Sequence, residues 1–105
     1  MRAKLTPTAR RDLDEVRKYT VARWGRPQWL RYFTGLSAAF ERIAREPRCG
    51  LGRDVLQTGL RSLTVEQHVI FFHPIRHAGG AVIIVRIIHQ RRNFAALSFA
   101  GDLDN

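Results

Sequence analysis

Cys49 is the only cysteine in the sequence, so no internal disulfide can form and nothing points to an oxidising compartment. Lysine is almost as scarce. Lys4 and Lys18 are the only two among 18 basic residues, and arginine supplies the rest. Acids are few as well, nine in all, which leaves a formal net charge of +9 at pH 7. A field of that sign steers acidic partners toward the chain, whether nucleic acid, an acidic protein surface or an anionic membrane, without specifying fold or chemistry. Arginine adds planar, bidentate contacts to carboxylate or phosphate. No run approaches the ~20 apolar residues of a membrane span, and the opening Met-Arg-Ala-Lys-Leu-Thr-Pro reaches Pro7 without an apolar signal core. The expectation is a soluble, cytoplasmic protein with no membrane contact.

Chemical motifs are also missing. His68, His73, His77 and His89 have no cysteine or carboxylate neighbours at ligand spacing, so no metal is expected. Gly50-Leu51-Gly52 lacks the following helix and lysine of a phosphate-cradling loop. Ser37, Ser62 and Ser98 have no context that would activate a hydroxyl. No cofactor is expected.

What is present reads as one folded domain over residues 1–105. Apolar residues make up 45% and charged residues 26% of the chain, a composition that supports one modest core. Residues Arg2 to Leu5 suit a short edge strand. Thr6 then offers a helix-capping oxygen and Pro7 suits the first turn. Ala9, Leu13, Val16, Thr20 and Trp24 recur at helical steps up to Gly25. A second helix begins near Pro27 with Trp29, Phe33, Leu36, Phe40 and Ile43 on one stripe, and Pro47 forbids its continuation. Joined by about two residues, the pair forms an antiparallel hairpin.

After a stretch without strong periodicity from Pro47 to about Thr58, three strands follow. Leu60 to Val65, His68 to Phe72 and Ala81 to His89 form a meander, with Gly79-Gly80 marking a turn. Ala81 to Ile88 is apolar on both pleat faces, apart from Arg86, which predicts a central strand covered on both sides. Two helices cover one face, so either the tail Phe94 to Phe99 folds back over the other or a partner lies there. The fold class is α+β.

The densest basic cluster is Arg86-Ile87-Ile88-His89-Gln90-Arg91-Arg92-Asn93, with no acid before Asp102. An anion can dock there. Strict alternation places Arg86 with Ile84 and Ile88, and His89 with Val85 and Ile87, on opposite faces. The competing reading is structural, with Arg86 paired to Asp12, Asp14 or Glu15. Arg48, Arg53 and Arg61 bracket the loop into the sheet and are candidates for a basic rim.

The order strand, helical hairpin, three-strand meander and basic strand end resembles the RelE/ParE toxin fold, and local strings resemble its ParE branch. These are Leu5-Thr-Pro-Thr-Ala-Arg-Arg-Asp-Leu13, Tyr19 through Trp24-Gly25, Pro47-Arg-Cys-Gly50, Gly59-Leu60-Arg61, His68-Val-Ile-Phe-Phe72 and Arg86-Ile-Ile-His89-Gln-Arg-Arg92. The resemblance implies an N-terminal strand and α-helical hairpin packed on a small antiparallel β-sheet. It also implies the toxin of a type II toxin–antitoxin system, neutralised by a ParD-like antitoxin and inhibiting DNA gyrase without catalytic residues of its own. A hetero-oligomeric toxin–antitoxin complex that binds operator DNA through the antitoxin goes with it. Arg86, His89, Arg91 and Arg92 are then candidates for the gyrase-binding surface. Trp29, Phe33, Phe71 and Phe94 are candidates for contact with the antitoxin's apolar helix. The RelE branch, which cleaves messenger RNA on the ribosome with a basic cluster, is the alternative, as is a nontoxic interaction module with the same fold. For RNA cleavage, His68 or His89 would act as acid or base and Arg91 would stabilise phosphate charge. The sequence has no lysine after Lys18 and carries His68-Val69-Ile70-Phe71 where RelE-like nucleases place an arginine, so that cluster is incomplete.

Overall fold

The computed structural model describes residues 3–76 and 82–97, the side chains of 75 and 76 excepted. Ala3–Leu5 forms strand β1, and helix α1 follows over Pro7–Trp24. Thr6 joins them. Its hydroxyl accepts from the Ala9 N–H at 3.1 Å and donates to the Val85 carbonyl at 3.0 Å, while its own N–H donates to the Ile84 carbonyl at 3.0 Å. One residue therefore caps a helix and ties it to a strand 79 positions away.

Gly25 is the whole of the joint between α1 and helix α2, Arg26–Arg45, one residue tighter than the spacing suggested. Its φ of 91° lies where only glycine is unstrained. The chain then forms β2 (Leu51–Gly52), β3 (Arg61–Val65), β4 (His68–Arg76), β5 (Val82–His89) and a short 3-10 turn, Phe94–Ala96. β2 falls in the stretch without periodicity, and β4 runs on past Pro74, which lies within a register shift between His73 and Arg76. The turn expected at Gly79-Gly80 lies outside the described residues.

The sheet order is β1-β5-β4-β3-β2. β1 runs parallel to β5, Ala3 opposite Val82 through Leu5 opposite Ile84, and the other pairs are antiparallel. The sheet is therefore mixed and not antiparallel throughout, because the helical hairpin and the meander bring β5 back in the direction of β1.

Both faces are covered. Toward the helices, Ala9, Val16, Trp29, Leu36 and Ile43 pack on Ile70, Phe72, Val82, Ile84 and Ile87. On the other face Leu60, Val69, Phe71, Val85 and Ile88 form a second cluster, closed by Leu56 of the loop and by Phe94 and Leu97 of the tail. Of the two ways to cover that face, the tail fold-back is the one observed. Ile84 and Ile87, three apart, share the helical face because the register shifts at Val85, between the pairs Phe71 with Arg86 and Phe72 with Ile84. That bulge overturns the strict alternation expected for Arg86 and His89. Trp24 leaves its expected stripe too, at 64% exposure. Counting about 100° per residue from Ala9 puts it roughly 60° off that direction.

Where β1 ends, α1 takes over the edge of β5. The Asp12 carboxylate accepts from Arg86 Nε at 2.8 Å and Nη2 at 3.1 Å, and from the Ile87 N–H at 3.0 Å. Both side chains are mostly buried, 15% and 14% exposed. Asp12→Ala removes the acceptor of all three bonds, two of them charge-assisted and mostly buried, so it is expected to lower the unfolding free energy by about 3 kcal/mol. Urea unfolding measures it, with Asp12→Leu/Arg86→Met recovering part of the loss. A cost below about 1 kcal/mol for Asp12→Ala would show that the pair is effectively solvated.

Candidate functional site

A groove of about 410 Å³ opens between α1, the first half of α2 and the ends of β4 and β5. Its walls follow from local structure. Asp12, Glu15 and Tyr19 stand at i, i+3 and i+7 on α1 and so share one side of that helix. Tyr32 comes from α2, Glu66 and Gln67 from the β3–β4 turn, and His68 and His89 from directly paired positions on β4 and β5.

The polar groups in the groove form one chain. The Tyr32 hydroxyl donates to the Val65 carbonyl at 3.2 Å and also meets His68 Nδ1. Tyr32 has a single proton, so with that proton on Val65 the His68 Nδ1–H is the donor to Tyr32. The His68 and His89 rings meet edge to face at 5.4 Å. His89 Nδ1 accepts from the Arg91 N–H at 3.2 Å, which leaves Nε2 to donate to Gln67 Oε1 at 3.3 Å. Burial, and then the Glu66 carboxylate, push the Tyr32 hydroxyl up to about 12. Burial, and then His89, hold His68 below the ordinary imidazole range.

The candidate residues divide between places. Of the basic cluster, Arg86 is engaged by Asp12 and stands outside the groove wall, His89 and Arg92 line the groove, and Arg91 is exposed on the turn beside them. Trp29 is buried under the hairpin with Phe33 against it at 5.4 Å, and Phe33 remains 37% exposed. Phe71 is fully buried on the opposite sheet face, where Phe94 packs on it edge to face at 5.0 Å. The four aromatic candidates thus lie on two faces, and Phe71 offers no surface to a partner.

Nor do Arg53 and Arg61 make a free basic rim. Arg61 donates to the carbonyls of Arg48 at 2.7 Å, Cys49 at 3.1 Å and Gly50 at 3.0 Å, and it fixes the loop that becomes β2. Arg53 donates to Ser62 Oγ at 2.8 Å and lies over the Phe71 and Phe94 rings. Tyr19, Tyr32, Glu15 and Glu66 carry the groove; sequence reasoning placed none of them in a site, naming Glu15 only as a candidate partner of Arg86 and Tyr19 only in a string of the resemblance. Tyr19 gave a signal, being an aromatic off the apolar stripe of α1. Among the described residues no group of three His, Cys, Asp or Glu is placed to hold a metal ion, and no helix is long and apolar enough to cross a membrane.

A second histidine is buried away from the groove. His73 Nε2 sits 2.6 Å from Gln57 Oε1, and its Nδ1 is buried without a partner among the described residues. Burial holds it, like His68, below 6.5. The unfolded chain then binds more protons than the folded one just below that value, so stability is complete above it and is lost as the pH falls toward the folded values. The urea midpoint is expected to drop between about pH 7.5 and 5.5, less steeply in His73→Gln. A flat or opposite slope would contradict neutral, buried histidines.

The order of elements, the helical hairpin on the sheet and the basic strand end have counterparts in known proteins. The family model for the ParE toxin of the type II toxin–antitoxin system parDE matches residues 3–94. Toxin ParE1 of Caulobacter vibrioides is 34% identical over 93 residues, covering 89% of this chain and 93% of that protein. A solved structure of the chromosomal ParDE toxin–antitoxin system from P. aeruginosa superposes with a TM-score of 0.68 at 25% identity, covering 85% of this chain and 95% of that one. A match from β1 to Phe94, where the 3-10 turn begins, joined to a relative that shares a third of its residues, makes this chain a member of the ParE family, a toxin of a type II toxin–antitoxin system.

Proposed function

We propose that this toxin inhibits DNA gyrase without catalysis of its own and is held inactive by a ParD-like antitoxin. One observation carries the choice between gyrase poison and messenger-RNA nuclease. The groove that gathers Tyr32, His68 and His89, the side chains suited to acid–base chemistry, is lined by the carboxylates Asp12, Glu15 and Glu66 and by one arginine, Arg92. A scissile phosphate needs cations around it. Here the carboxylates outnumber them, and the nearby Arg86 guanidinium is neutralised by Asp12. That electrostatic arrangement disfavours RNA at the histidines and supports the non-catalytic branch.

The basic residues that remain outside form the surface for the target. Arg91 and Arg92 are exposed at the end of β5, and His89 anchors their turn through hydrogen bonds with the Arg91 and Arg92 amides. Arg86 contributes by fixing the strand that carries them. The similarity to a ParDE system supports a ParD-type partner, and the exposed edge of Phe33 beside Trp29 offers its helix an apolar contact. In the cytoplasm the pair would form a hetero-oligomer that reads operator DNA through the antitoxin.

Purified chain is expected to block gyrase supercoiling and accumulate linear DNA, while leaving a parallel cell-free translation reaction intact. Arg91→Glu/Arg92→Glu, which reverses the local field without touching the core, should weaken that inhibition by about tenfold or more. Full inhibition by this variant at equal concentration would remove the proposed surface. Blocked translation with cut messenger RNA would replace the gyrase reading with the nuclease one.

A further inference from the structure

The groove is charged against the rest of the molecule. A chain of net charge +9 places three of its nine acids on one concavity. Asp12 is neutralised by Arg86, whereas Glu15 and Glu66 make no ion pair among the described residues. Aromatic rings stand beside them. Tyr19 and Trp24 are 63% and 64% exposed, the Arg23 guanidinium lies 5.3 Å from the Trp24 ring centre, and Tyr32 lines the same wall. Exposed rings next to unpaired carboxylates are the chemistry that receives an ammonium or guanidinium group, because the ring face and the carboxylate attract the same charge. The volume of about 410 Å³ suits a few side chains and the backbone that carries them.

We propose that this groove is a specificity pocket into which the ParD-type antitoxin inserts a lysine or arginine side chain, against Glu15 and Glu66 and between the rings of Tyr19, Trp24 and Tyr32. The inference rests on the antitoxin reading given above. It follows from charge complementarity taken at two ranges. A surface this basic draws an acidic partner. An acidic segment entering the groove would then meet two carboxylates of its own sign, which is costly at contact distance. Only a partner that carries a basic side chain at that one position fits both the general field and the local reversal. Such a point of reversed charge fixes register and rejects partners whose acids run through it.

The pocket is tested first without any partner, with N-acetyl-arginine amide as probe and N-acetyl-glutamine amide as its neutral control. The two tryptophans provide the readout, since Trp24 lines the groove and Trp29 is buried in the core. In NMR titrations the arginine probe is expected to shift the Trp24 indole N–H saturably and leave that of Trp29 in place. The glutamine probe should leave both in place. Glu15→Gln/Glu66→Gln should weaken the arginine effect about tenfold. No selective shift at Trp24, or the same shift in the double variant, overturns the pocket. Should the double variant lose its fold, Glu15→Gln alone is read in the same way.

Binding of the ParD-type antitoxin then gives a test of sign. The double variant is two units more positive, so general steering predicts tighter capture of an acidic partner, whereas the pocket predicts a complex about tenfold looser. An equal or tighter complex overturns the proposal. Failure of the wild-type chain to bind any ParD-type antitoxin would instead remove the parent reading, and the arginine titration would still report on the pocket.

Discussion

The Asp12 carboxylate stands where helix, strand edge and groove meet, and much of the architecture depends on what it accepts. Among the described residues β1 pairs with Val82 to Ile84, yet β5 continues to His89. An unpaired edge of that length is a template for unwanted strand addition. α1 closes it with side chains in place of a strand. Thr6 takes the Val85 carbonyl, and Asp12 takes the Ile87 N–H and the Arg86 guanidinium. These bonds fix the rotation of α1, with Ala9 and Val16 turned into the core and Glu15 and Tyr19, one and two turns beyond Asp12, turned into the groove. The same carboxylate thus sets the packing of the hairpin and the composition of the groove wall.

That arrangement also separates two kinds of electrostatics. Arg86 is the cation nearest the histidines along β5, and its pairing with Asp12 removes it from any phosphate. Arg61 and Arg53 are likewise engaged, one by three loop carbonyls and the other by Ser62 and two aromatic rings. What stays exposed at this end of the sheet is the turn of Arg91 and Arg92. An arginine-rich composition therefore overstates the basic surface, since several of these side chains hold backbone together. Their planar, multi-donor heads suit that use better than lysine would, which gives the scarcity of lysine a partial structural reason.

Features coded by neighbours along the chain were legible from sequence. Thr6 with Pro7, Gly25 with Pro27 and the doubly apolar run of β5 each carry their own signal within a few residues, and each element appears as expected save that the Gly25 joint is one residue tighter. What was not legible depends on contacts far apart in sequence. β2 has two residues and no pattern; it exists because Arg61 reaches across to the carbonyls of 48–50. The bulge at Val85 has no glycine or proline to announce it, yet it reverses the parity of every residue after it. The choice of Asp12 over Asp14 as partner of Arg86 was open in the sequence. It is settled because Asp14 faces Arg17 and Lys18 on its own helix, which hold its carboxyl below the usual range. Tyr32, Glu66 and the two histidines belong to four separate segments, so their convergence needed the completed fold.

Range decides how the two charged regions divide their work. At physiological salt the screening length is about 8 Å, so an approaching partner meets the net positive field of the whole chain, while the opposite local sign at Glu15 and Glu66, themselves exposed, is felt only at contact. Attraction and discrimination are thereby assigned to different residues. Arg92 belongs to both regions, for it is exposed on the turn after β5 and also lines the groove. On the proposed reading, a segment seated in the groove would cover Arg92 and leave the proposed target surface with Arg91 alone of its two arginines. Neutralisation in that arrangement would need no conformational change in the toxin, since a partner that fits the proposed pocket would mask the proposed contact by occupying it.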